Sequence, residues 1–206
     1  MTVIDTNSNC INAVDMLLRK GVTAVGRCYR IMHPTWRLTR AEAQQLCAAD
    51  IRLFTIYEGT GRNLALTAAQ GVIDGIHALE QAAAVGQPHG TAIYFALEGL
   101  PAGYSTPDLP AIREYFSGVT ASIGSTYRLG VYSNGVVCRA LLDEGICSCT
   151  WLSASRAFPG TRDFYSSGRW NLAQTTPLDQ NWGGLSVDVN EAKADFGAFT
   201  VRVLVS

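Results

Sequence analysis

Short runs of β-branched and aromatic residues alternate with longer Ala- and Leu-rich runs along most of the chain. That strand–helix rhythm points to a parallel sheet with crossover helices. Strands are expected at 3–7, 23–29, 51–58, 91–98, 127–133, 150–155, 170–175 and 185–190, with helices near 11–20, 39–49, 67–85, 108–123 and 135–144. Thr39 with Glu42, and Thr67 with Gln70, have capping-box spacing, in which a hydroxyl and a side chain three residues on satisfy exposed backbone N–H groups. Gly21, Gly86 and Gly145 sit where helices should stop, and Asn134 sits where one should be capped.

The rhythm breaks in the last third. Residues 156–169 are rich in Gly, Ser and Pro, and 176–184 is shorter still. Neither has room for a regular crossover helix, because such a connection needs about ten or more residues including its helix. The expected fold is α/β: a small, degenerate (β/α) TIM-like barrel with five βα units followed by three strands with poor helices. Length favours one domain over residues 1–206. An open doubly wound sheet would carry a glycine-rich phosphate loop after its first strand, where Asp5-Thr6-Asn7 stands instead. The tail 199–205 alternates apolar residues and is a candidate further strand without an assigned neighbour.

Composition narrows the possible roles. Hydrophobic residues make up 48% of the chain and charged residues 16%, as in a globular protein with a large interior. The net charge of −1 shows no basic surplus, which argues against nucleic acid as a partner. No apolar run is long enough to span a membrane, and residues 1–10 lack a signal-peptide pattern, so a role outside the cytosol needs another route. The six cysteines lack the C-x-x-C pairs of zinc or redox sites and are read as buried structural thiols. No metal or organic cofactor is implied, and a monomer is expected.

In a (β/α) barrel the chemistry sits at the C-terminal ends of the strands. Asp5, Glu58, Glu98 and Asp188 all fall at expected strand ends, out of 17 acidic residues. Alternation places Ile93, Phe95 and Leu97 toward the helices, leaving Tyr94, Ala96 and Glu98 toward the barrel axis. Ser186, Asp188 and Asn190 likewise share a face. Clustered carboxyls do not all ionise cheaply, so one should hold a proton and serve as an acid. Glycoside hydrolysis needs that pairing of acid and carboxylate. Trp36, Tyr57 and Tyr132 are candidate rings for sugar faces, and Arg27 and Gln174 candidate partners for sugar hydroxyls or for an acid.

Several stretches resemble a known family. Asp5-Thr6-Asn7, Gly26-Arg27-Cys28-Tyr29, Leu53 to Glu58, Ile93 to Glu98, Gly130 to Gly135, Asn171 to Gln174 and Ser186 to Asn190 together resemble the bacterial glycoside-hydrolase-like domain-of-unknown-function family 1906, a relative of the family 25 lysozymes that cut peptidoglycan. The resemblance runs in order through nearly the whole chain. It implies a barrel of the kind expected above and an acidic trough of Asp5, Glu98 and Asp188, with Glu98 as proton donor and a polysaccharide such as peptidoglycan as substrate. The lysozymes carry Asp-x-Glu at the end of the fourth strand, whereas this chain has Ala96-Leu97-Glu98. Glu58 is the expected substitute for the missing aspartate. The rival expectation is a glycan-binding protein on the same scaffold with impaired chemistry.

Overall fold

Among the described residues, 2–30, 34–59, 65–97 and 108–202 of a computed structural model, nine strands, six α-helices and one short 3-10 helix (Pro34–Trp36) make up the structure. Five βα units come first: β1 (Thr2–Asp5), α1 (Val14–Arg19), β2 (Val22–Arg30), α2 (Arg40–Ala48), β3 (Arg52–Glu58), α3 (Ala68–Val85), β4 (Ala92–Ala96), α4 (Leu109–Ile123), β5 (Arg128–Ser133) and α5 (Gly135–Asp143). Then follow β6 (Cys149–Leu152), a six-residue α6 (Thr161–Ser166), β7 (Leu172–Gln174), β8 (Gln180–Trp182) and β9 (Leu185–Ala192). Strands β1 to β7 pair in chain order and in parallel, and β9 closes the ring by pairing with both β7 and β1. The result is an eight-stranded barrel of mixed α/β type with β8 as an extra strand.

The Asn134 cap is present, as is the hydroxyl half of each capping box; the Glu42 side chain instead binds Arg27 and the Cys10 amide, and the Gln70 side chain donates to Asp74. The Thr39, Thr67 and Asn134 side chains accept hydrogen bonds from the amides of Glu42, Gln70 and Val137. Gly21, Gly86 and Gly145 all have positive φ at the ends of their helices.

The last strand differs from the expected parallel arrangement. β9 runs antiparallel to both of its barrel neighbours. The reason is length: the chain between β7 and β9 cannot hold a crossover helix, so it doubles back through a hairpin. Gly183 and Gly184 form that turn with φ of 60° and 93°, as a two-residue primed turn requires, and Trp182 pairs with Leu185 across it. The tail makes a single antiparallel bridge, Phe199 to Leu53, and residues 203–206 lie outside the described chain.

Alternation along the strands divides the core in two. Val25, Tyr29, Leu53, Tyr57, Ile93 and Phe95 face the helices, while Ala24, Cys28, Phe54, Ile56, Tyr94 and Trp151 face the barrel axis. The barrel interior is filled, with Phe54 and Trp151 rings 5.3 Å apart and Phe54 and Phe196 5.5 Å apart. Gly26 and Gly130 make that filling possible. A Cβ at either would lie 2.6 Å from the ring of Phe54 or Tyr94. Phe196, whose carbonyl accepts from Tyr94 Oη at 2.9 Å, occupies the end where the parallel strands begin.

Candidate active site

Among the described residues, two cavities mark the opposite end of the barrel. A cavity of about 250 Å³ lies over the C-terminal ends of β1, β2, β3 and β5, floored by Tyr132 and Trp151 and lined by Asp5, Glu58, Gln174 and Asp188. A second cavity of about 260 Å³ shares Asp5, Thr6, Asn7, Asp179 and Asp188 with it and extends to Trp36. Together they form a trough with acidic walls.

Asp5 and Asp188 are direct partners across the β1–β9 ladder, so their side chains share the inner face. Asp188 reaches the functional end because β9 runs backwards, which brings the first half of the strand there. Gln174, at the end of β7, donates from Nε2 to Asp188 Oδ2 at 2.9 Å and to Asp5 Oδ2 at 3.4 Å. Asp5 Oδ2 also accepts from Asn190 Nδ2 at 2.6 Å, and Asp188 Oδ1 from the Asp179 amide at 2.6 Å. Burial raises the Asp188 carboxyl above its ordinary 3.8; the Asp179 amide opposes this and the Asp179 charge adds to it. Asp179 holds the left-handed region, with φ of 53°.

Glu58, at the end of β3, accepts from Cys28 Sγ at 3.5 Å. The same thiol lies 2.8 Å from Asn7 Oδ1. Burial foremost, then the Glu58 charge, holds the Cys28 thiol well above its usual value, so it stays protonated and can donate. Trp36 is 38% exposed at the rim, and Leu178 44% exposed beside the deeper cavity. Glu98 lies outside the described residues; the described inner face of β4 ends at Ala96. Ala96 pairs with Tyr132, and the Leu97 amide donates to the Tyr132 carbonyl at 3.0 Å.

Two residues expected at the site face elsewhere. Arg27 is fully buried on the helix side of β2, donating to both Glu42 oxygens, at 2.7 and 3.3 Å, and to the Thr6 carbonyl at 2.6 Å. Glu42 also accepts the Cys10 amide at 2.8 Å. The pair therefore pins the loop that follows Asp5 without lining the trough. Tyr57 points to the helices, where its hydroxyl and that of Tyr115 donate to the buried Asp74 at 3.0 and 2.7 Å. In both strands, alternation puts the neighbouring residues, Cys28 and Glu58, on the inside instead. The residues missing from the expected set are Asn190, Trp151 and Asp179. Asn190 shares the face of Asp188, a signal present in the alternation of β9; nothing in the sequence marks Asp179.

Among the described residues, no group of three or more His, Cys, Asp or Glu side chains could hold a metal ion. Nor is any helix among them long and apolar enough to cross a membrane. What the trough offers is fixed carboxylates beside exposed apolar side chains, which suits a polyhydroxylated ligand whose cleavage needs acid and carboxylate together.

Comparison with known proteins places this architecture. The family model described as "Rv2525c-like, glycoside hydrolase-like domain" matches residues 15–194. The uncharacterized protein FadG of Bacillus subtilis (strain 168) is 25% identical over 207 aligned residues, covering 93% of this chain and 35% of FadG, so the chain spans about a third of that relative's length. The Tat-secreted protein Rv2525c of Mycobacterium tuberculosis, crystallised with L-tartrate, superposes with a TM-score of 0.80 at 23% identity, covering 96% of this chain and 98% of that one. The modular autolysin LytC of Streptococcus pneumoniae, crystallised with a synthetic peptidoglycan ligand, gives a TM-score of 0.58 at 14% identity, covering 92% and 46%.

Proposed function

This chain belongs to the Rv2525c-like, glycoside hydrolase-like family, and from that premise and its acidic trough we propose that it is a glycosidase of bacterial cell-wall glycan. The observation that carries the reading is the meeting of Asp5 and Asp188, from opposite ends of the chain, under one shared amide at the open end of the barrel. Glu98, which directly follows the strand wall at Ala96 and Leu97, is the proton donor to the glycosidic oxygen. Asp188 and Asp5 stabilise the positive charge that develops at the sugar carbon as the bond breaks. Glu58, held by Cys28 on the adjacent wall, takes the part of the aspartate that Ala96 lacks. Trp36 offers its exposed face to a sugar ring at the rim. Lytic enzymes with this fold, such as the peptidoglycan-liganded autolysin, support the substrate class.

A glycan-binding protein with impaired chemistry is the second reading, favoured by Ala96. Reducing ends released from purified peptidoglycan separate the two. Glu98→Gln should lower the rate by about 10²-fold or more, the contribution expected of a general acid, while binding to insoluble peptidoglycan persists. A folded Glu98→Gln protein as active as the parent contradicts the assignment. Binding without new reducing ends in the parent protein establishes the second reading.

A further inference from the structure

We propose that two aromatic–amide relays, Tyr132–Gln174 and Trp151–Asn190, set the orientation and proton affinity of the trough aspartates, making Tyr132 and Trp151 positioning residues. The catalytic consequence rests on the glycosidase reading; the relays themselves rest on hydrogen-bond chemistry.

A side-chain amide has one accepting and one donating end, and a flip exchanges them. Trp151 Nε1 can only donate, and it lies 2.8 Å from Asn190 Oδ1. Asn190 must therefore turn its NH₂ end away, and that end meets Asp5 Oδ2 at 2.6 Å. In the second relay, Tyr132 Oη donates to Gln174 Oε1 at 2.8 Å, leaving Gln174 Nε2 for Asp188 and Asp5. All four relay side chains are buried, so water does not readily replace a lost partner. The Tyr132 and Trp151 rings pack 4.8 Å apart, so both relays start from one aromatic pair.

Among the described residues, the titratable groups around Asp188 are Asp5 from β1, Asp179 from the turn before β8, and, across the same cavity, Glu58 from β3 and Cys28 from β2. Opposed carboxylates repel, and one of them holds its proton to higher pH unless donors intervene. Gln174 is the donor that Asp5 and Asp188 share. Without the Tyr132 hydroxyl, the Oε1 end of this amide loses the donor that fixes its orientation toward them.

The test follows the Asp188 side-chain carboxyl by ¹³C NMR titration in the full chain, the Tyr132→Phe and Gln174→Met variants, and the double variant. Each single change should move the Asp188 midpoint upward. The double variant should move it no further than Gln174→Met alone, because the hydroxyl acts through the amide; independent effects would add. Glycan cleavage, followed in parallel, should show its acidic limb moving up with the midpoint, with kcat falling roughly ten-fold or more and KM changing less. An unchanged Asp188 midpoint in folded Tyr132→Phe protein, or an additive double variant, overturns the relay. A moved midpoint in a chain that cleaves no glycan upholds the relay and removes the glycosidase reading instead.

Discussion

Arg27 and Glu42 are both without solvent exposure, joined by two hydrogen bonds, and tied through Thr6 and Cys10 to the loop after Asp5. Removing one member of such a pair strands a buried charge. Arg27→Met should therefore cost about 3–5 kcal/mol in urea unfolding, and Arg27→Met with Glu42→Leu should cost less than Arg27→Met alone. A cost below about 1 kcal/mol for the single change would mean the pair is not an anchor. At Asp188 the sign of the pH effect is set by burial. Its folded carboxyl titrates above 3.8, so its favourable contribution to the fold is complete below 3.8 and is lost as pH rises through the folded value. The ionised form is the one that stabilises a cationic sugar, so the acidic limb of kcat/KM should lie above 3.8; a limb at or below that value contradicts Asp188 as the charge stabiliser. At this scale the sequence was readable wherever alternation was applied, as at β4, where Tyr94 and Ala96 do face inward. Arg27 and Tyr57 were misplaced because their proximity to strand ends outweighed the same alternation, which assigns the inside to Cys28 and Glu58.

Between elements, a close backbone contact joins α3 and α4. A Cβ at Gly118 would strike the Ala68 carbonyl, and one at Gly71 the Tyr115 carbonyl, so the two backbones meet through reciprocal glycines. Gly118→Ala forces these helices apart and should destabilise the protein by about 1–3 kcal/mol, read from the urea midpoint. A stabilised variant would contradict that contact. Gly71 and Gly118 are ordinary glycines within helix patterns, so only coordinates reveal what they meet. The seven parallel strands and first five helices were legible because each has its own period and stop signals. The direction of β9 was also written in the sequence. A connection too short for a helix, containing Gly183-Gly184 between Trp182 and Leu185, describes a hairpin. Counting these connections as poor helices implies a parallel last strand, whereas the hairpin makes β9 antiparallel and sets Asp188 against Asp5.

For the molecule as a whole, closure of the ring by β9 is what makes a site. It brings the last strand beside the first and sets Asp188 against Asp5, over an interior filled by Phe54, Tyr94 and Trp151. Nothing local in the sequence encodes this meeting, since it depends on the strand count and pairing of the entire barrel. The proposed activity requires a glycan to lie in this trough with its scissile bond against the carboxyl groups. A crystal structure of the Glu98→Gln protein with a peptidoglycan-derived oligosaccharide tests it most directly. The sugar chain should run from Trp36 over Asp5 and Asp188, with a glycosidic oxygen within about 2.6–3.2 Å of the position-98 side chain. A sugar bound on another face, or a position-98 side chain turned away from an occupied trough, would contradict it.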